Sequence, residues 1–151
     1  MTTITNNRAT RKPAIVLGVR DHESLTLLAD RNLDRSPAVC ERLYEELDRA
    51  RIVAEDKLRP DIVRMGTTLS YVSAGAEART VTLVYPKEAN IEAGRISILT
   101  PIGVALIGLS EGQSIDWIAP DGSRHKLTLE RVLAHAGKPV ATVTEGAGTA
   151  L

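Results

Sequence analysis

The sequence predicts an α+β fold. A short N-terminal antiparallel helical hairpin, a miniature coiled coil, precedes an antiparallel β-sheet domain with one short helix. Three observations carry this expectation. Apolar residues recur at spacings of three, four, three and four through Cys40, Leu43, Leu47, Ala50 and Ala54, which makes one narrow helical seam. From Ile62 onward the apolar period becomes two, the period of a half-buried strand. Finally, Arg95 to Gly122 reads as strand, very short helix, glycine turn, strand and tight turn, with a local signal at each junction.

In chain order, residues 1–13 are polar without periodicity and are expected to be disordered. Ile15, Val16 and Leu17 form either a short strand or an extended segment against the main domain. Asp21, with Ser24 three residues on, is placed to cap a first helix with Leu25 and Leu28 on its apolar stripe. The helix breaks at Arg31–Ser36, and Ser36 with Pro37 opens the second one. The hairpin spans residues 14–54. Its second arm, about 15 residues at about 1.5 Å each, is only about 22 Å long.

Residues 55–61 read as a linker ended by Pro60, and residues 62–136 as the sheet domain. Leu69 and Tyr71, then Val81, Leu83 and Tyr85, then Leu127, Leu129 and either Val132 or Leu133 mark strands, with the Ser73–Glu77 loop and its Gly75 joining the first two. Ile96 and Ile98 mark another strand. Thr100 stands at an N-cap and Pro101 at the first helical position, where its missing N–H costs nothing. Gly108 ends that helix in a left-handed conformation, with Leu109 packing back over it. Ile115, Trp117 and Ala119 share one face of the next strand, and Pro120–Ser123 is a turn. Residues 137–151 are small and polar, a flexible tail.

Composition bounds the function. Across 151 residues, 19 basic side chains balance 19 acidic ones, which argues against free duplex nucleic acid as the main ligand. With no Phe and one Trp, any pocket is lined mainly by aliphatic groups. A single cysteine, Cys40, excludes an intrachain disulfide and suits a reducing cytosol, so a cytoplasmic location is expected. The run from Ala14 to Leu17 is too short for a signal-peptide core, and no segment approaches the length of a membrane span. His22, His125 and His135 lie in separate elements without metal-ligand spacing, and Cys40 lies on the helical seam as a packed hydrophobe rather than a nucleophile. Gly103, Gly108 and Gly112 are spaced for turns and close packing, not for a phosphate loop. No catalytic residue, metal site or cofactor is expected.

The order of signals from Arg95 to Gly122 resembles the C-terminal domain of the bacterial Gre transcript-cleavage factors. Three further stretches narrow the resemblance to their short relatives, the regulator of nucleoside diphosphate kinase (Rnk) family. These are Glu45-Glu46-Leu47-Asp48-Arg49-Ala50 in the second helix, Thr82-Leu83-Val84-Tyr85-Pro86 in a strand, and Pro101 to Leu109 as P-x-G-x-A-L-x-G-L. The resemblance covers roughly residues 15–135. It implies an FKBP-like sheet domain and a non-catalytic transcription regulator. Such a protein docks on DNA-directed RNA polymerase at its secondary channel and competes there with Gre-type factors, with no direct sequence-specific binding of nucleic acid, no membrane contact, and a monomeric state. The family's link to nucleoside diphosphate kinase is regulatory. The alternatives are a Gre-type cleavage factor and, remotely, an FKBP-like prolyl isomerase or chaperone, to whose aromatic pocket Trp117, Tyr71 and Tyr85 could contribute.

The resemblance also locates candidate residues. In Gre factors the head of the short helix docks at the channel rim, which here corresponds to Leu99, Thr100, Pro101 and Ile102. Glu41, Glu45 and Arg49 are candidates for a charged contact face on the hairpin. Gre factors carry an Asp-x-x-Glu type pair at the tip of a much longer coiled coil, where it helps hold the catalytic Mg²⁺ of the polymerase. This tip offers Asp30 and Asp34 without that pattern, on a shorter arm, so they read as a solvated helix end and a turn former. Gln113, where Gre factors usually have Asp, and the apolar Leu99 are two further departures.

Overall fold

A computed structural model describes residues 12–73 and 76–140. Its first half is the expected hairpin. Helix α1 (Val19–Asn32) and helix α2 (Pro37–Arg49) run antiparallel across a turn at residues 33–36, with Pro37 opening α2 where a lost N–H is harmless. The seam is real through Cys40, Leu43 and Leu47, all buried against Leu25 and Ala29 of α1. It stops there. Ala50 turns to extended backbone, and Arg51–Val53 forms strand β2 instead of further helix.

Strand β2 pairs in parallel with β1 (Val16–Gly18), so the Ile15–Leu17 segment is a strand whose partner is the far end of the hairpin. Asp21 is not a cap. Its carboxylate accepts from the Met65 amide at 3.0 Å, across to the second half of the chain. The α1 terminus is served by Glu55, whose Oε2 accepts from the Arg20 amide at 2.7 Å. A carboxylate near that end also complements the helix dipole. Residues 55–57, expected as linker, coil into a 3-10 turn that brings Glu55 there.

Strands β3 (Thr67–Ser73), β4 (Arg79–Val84), β5 (Arg95–Ser97), β6 (Ser114–Ile118) and β7 (Arg124–His135) make a sheet in the order β5-β4-β3-β7-β6, with the short β8 (Lys138–Pro139) added to β7. All its pairings are antiparallel except β4 with β5, which corrects the wholly antiparallel expectation. The parallel pairing arises because residues 85–94 curl through two 3-10 turns and return the chain to the level of Thr82. Register shifts in the β3–β7 ladder explain the choice between Val132 and Leu133. Leu69 faces Val132 and Tyr71 faces Leu129, so a residue is skipped between them and the inward set changes parity. Val132 is buried and Leu133 exposed.

Helix α3 (Pro101–Leu106) lies against the sheet, and Gly108 (φ +81°) ends it as expected. A Cβ at Gly108 would stand 2.9 Å from that of Ile15, so the glycine also lets the N-terminal segment lie flat on the turn. The Val16 amide donates to the Gly108 carbonyl at 3.2 Å, and the Gln113 side chain spans the Ser110 amide and the Ala14 carbonyl. One apolar cluster therefore runs from Leu25 and Leu43 of the hairpin through Ile15 and Leu109 to Leu69 and Leu129 of the sheet. Lys12 and Pro13, expected in the disordered end, are held by Glu46 and Arg49. Lys138–Pro139, expected in the flexible tail, pair with β7. Residues 1–11 and 141–151, and Ala74 and Gly75 of the β3–β4 loop, lie outside the described residues.

Candidate functional site

The α3 head is built from short-range bonds. The Thr100 hydroxyl donates to the Ser97 carbonyl at 2.7 Å and accepts from the Gly103 amide at 3.0 Å, while the Ser97 hydroxyl accepts from the Leu99 amide at 2.9 Å. Gly103 sits so close to the preceding strand that a Cβ there would lie 2.3 Å from the Ser97 carbonyl oxygen. The head is therefore stiff. Leu99, Thr100, Pro101 and Ile102 are brought together there, each half-buried, while Val104, Ala105 and Leu106 turn into the core.

Six helical residues cover only about 9 Å of the sheet, and beyond α3 its concave face stays open. The result is a groove of about 570 Å³ floored by Tyr71, Val81, Ile96 and Trp117, with Ile102 on its α3 side. Ile91, 86% exposed, stands at the rim. The Trp117 ring stacks on His125 with centroids 5.2 Å apart, and its indole Nε1, although buried, has no hydrogen-bond partner. Two of the three aromatics considered for an isomerase pocket thus meet in this groove. Tyr85 does not join them, and burial raises its phenol pKa.

The hairpin tip is different. Asp30 is exposed on α1 and accepts a hydrogen bond from the Tyr44 hydroxyl, a contact that pushes the phenol pKa up to about 12. Asp34 is exposed in the turn. On α2, Glu41 and Glu45 face solvent, but Arg49 does not join them. Arg49 turns inward to Glu46, whose side chain is only 3% exposed. The Glu46 carboxylate takes Lys12 Nζ at 2.7 Å and Arg49 Nε at 3.0 Å. Arg49 Nη2 lies 2.7 Å away but off a hydrogen-bonding direction, so it adds attraction without a bond. Glu46 was missed as a structural residue because a helix with six charges reads as solvated on every face except the seam. The available signal was its place three residues after Leu43, on the seam's flank.

Other titratable groups are dispersed. Among the described residues, no group of three or more His, Cys, Asp or Glu side chains is placed to hold a metal ion. Ser123, Asp121 and His125 do cluster, but the Ser123 hydroxyl donates to Asp121 at 2.6 Å and lies 2.9 Å from His125 Nε2. The carboxylate orients the serine and not the histidine, which is the wrong order for a base-activated nucleophile. Its main effect is to lower the Asp121 pKa. Cys40 is buried, and desolvation raises its thiol pKa. No described helix is long and apolar enough to cross a membrane.

Comparison with known proteins separates the chain where its architecture changes. Residues 13–53 match the family model described as Rnk N-terminus, and residues 58–133 match the one described as transcription elongation factor, GreA/GreB, C-term. The regulator of nucleoside diphosphate kinase from Escherichia coli K12 is 30% identical over 112 residues, which is 74% of this chain and 82% of that protein. The transcription elongation factor GreA from Rhodospirillum rubrum is 36% identical over 130 residues, 80% of this chain and 83% of that one. A solved structure of a prokaryotic GreA/GreB elongation factor from Nitrosomonas europaea superimposes with a TM-score of 0.64 at 33% identity, covering 78% of this chain and 98% of that one.

Proposed function

The chain belongs to the GreA/GreB family of bacterial transcription factors and carries an Rnk-type N-terminus, and from that premise we propose that it is a non-catalytic regulator that binds RNA polymerase. In this reading it docks at the secondary channel, competes there with Gre-type factors, and influences nucleoside diphosphate kinase through that regulation. The observation that carries the reading is the stiff, half-exposed apolar head of α3, Leu99 to Ile102, within a Gre-type C-terminal domain. Interfaces draw their affinity from a few such preorganised anchors.

The hairpin supports a role without transcript cleavage. Its arms have 14 and 13 residues, about 20 Å of helix. Asp30 is engaged by Tyr44, and only Asp34 remains open at the tip. A carboxylate must reach a metal to ligate it, and an arm of this length holds its carboxylates near the channel mouth. Glu41 and Glu45, exposed along α2, would supply charge complementarity and affect mainly on-rate and salt dependence.

The test is co-purification with core polymerase, paired with a thermal melt of each variant. Wild type should be retained. Leu99→Asp, at a temperature where its melt shows it folded, should lose at least tenfold in affinity, because it places a charge in the apolar contact. Excess protein should not accelerate release of the RNA 3′ end from a stalled elongation complex in Mg²⁺. A folded Leu99→Asp that binds like wild type removes the α3 head as the docking point. Cleavage that Asp34→Ala abolishes would overturn the non-catalytic reading.

A further inference from the structure

We propose that the groove beside α3 receives an extended segment of a protein partner in which apolar side chains are flanked by acidic ones. The inference rests on the docking reading above, since Pro101 and Ile102 line the groove as well as the head, and it adds the chemistry of what docks.

The floor sets the apolar part. Tyr71, Val81, Ile96 and Trp117 form a continuous concave surface, and about 570 Å³ lies within the range of ligand sites, about 300–1,000 Å³. Ile91 extends that surface at the rim, where an 86% exposed isoleucine gains nothing until something covers it.

The rim sets the charge. Arg79 and Arg95 stand on β4 and β5 against one carboxylate, Glu92. None of the three is in an ion pair among the described residues, whose salt bridges are all elsewhere. An acidic segment meets Arg79 and Arg95, the latter steadied by its Nε donating to the Glu88 carbonyl at 3.2 Å. A basic segment is repelled by both. Rim charges of this kind select among partners and speed encounter more than they add affinity.

The chain's only tryptophan, Trp117, is in the groove, so intrinsic emission reports occupancy directly. The full chain is titrated with a ten-residue peptide of alternating leucine and aspartate, and with its counterpart carrying lysine for aspartate. The acidic peptide should shift the emission saturably and bind at least tenfold tighter than the basic one. Combining Arg79→Glu with Arg95→Glu, both at exposed positions, should abolish that preference, and Ile91→Asp should weaken binding several-fold with an unchanged melt. Equal binding of the two peptides, or no shift with either, overturns the proposal. So does an emission shift that follows protein concentration alone, which makes a second copy the occupant. A shift on deleting residues 141–151 also overturns it, making the chain's own end the occupant. If Leu99→Asp abolishes polymerase binding while the peptides show no preference, this inference fails alone. If the preference holds while polymerase ignores Leu99→Asp, the polymerase reading fails instead.

Discussion

Replacing Glu46 by alanine should lower stability by about 3 kcal/mol, and the structure gives the parts of that figure. A hydrogen bond to a charged acceptor is worth about 1.5–3 kcal/mol when sheltered. Glu46 holds two of them, to Lys12 Nζ and Arg49 Nε. The Lys12 side chain is 38% exposed and rehydrates once freed, so its share falls below about 1 kcal/mol. Arg49, 26% exposed, keeps the Pro13 carbonyl but loses the sheltered bond, about 1.5 kcal/mol. The lost burial of the Glu46 stem adds about 0.8 kcal/mol. At about 2–4 °C per kcal/mol for a chain of this size, the melting temperature should fall by about 6–12 °C. Glu46→Met, which restores the buried stem, should recover about 0.8 kcal/mol of the loss, while Lys12 turns to water and Arg49 stays on the Pro13 carbonyl. Calorimetry or a circular-dichroism melt decides it. A Glu46→Ala midpoint within about 1 °C of wild type refutes the reasoning.

Gly103→Ala should destabilise by about 2 kcal/mol. The gain in helix propensity, about 1 kcal/mol, is outweighed by a Cβ driven to 2.3 Å from the Ser97 oxygen and 2.8 Å from Ile98 Cα, both backbone atoms that cannot swing away. A variant as stable in urea as wild type would show that this packing yields. His135 should make stability fall in mild acid. Its Nε2 donates to the Pro60 carbonyl at 2.8 Å, its Nδ1 meets the Thr67 hydroxyl at 2.8 Å, and burial is the main cause that depresses its pKa below 6.5. With the folded pKa below the unfolded one, its contribution is complete above about pH 6.5 and is lost as pH falls through the folded value. The urea midpoint of wild type minus that of His135→Gln should therefore shrink from pH 7.5 to pH 5. A constant difference would refute the assignment.

What was legible in the sequence is what depends on neighbours in the chain. The Thr100–Pro101 start, the Gly108 stop, the Pro120–Ser123 turn and the Cys40–Leu47 seam are each encoded within a few residues, and the structure reproduces them. What was not legible depends on partners far away. Strands of three residues such as β1 and β2 carry no periodicity, and their pairing joins Val16 to Arg51. Asp21 has the local signature of a cap, yet the amide it serves is 44 residues on. Bulges in the β3–β7 ladder change parity without any glycine to announce them. At the candidate site, the α3 head could be read from its own residues. The groove could not, because it joins Tyr71 to Trp117 across three strands, β3, β7 and β6.

The Gly108 turn has a consequence for how the chain is made. Ile15 and Val16 reach the ribosome's exit early, and the hairpin they lead into is complete at Arg49. Their seat is the carbonyl and the bare Cα of Gly108, about 60 residues later. At about 5–20 residues per second that is about 3–12 s of synthesis. Through that interval the hairpin can close on itself over Leu25 and Leu43, but the surface that Leu106 to Leu109 will cover stays wet. A nascent chain arrested between Val53 and Gly108 is therefore a helical pair with β1 already paired to β2 but with one apolar flank uncovered, a ready target for chaperones, and release of the α3 turn is the step that ends its exposure.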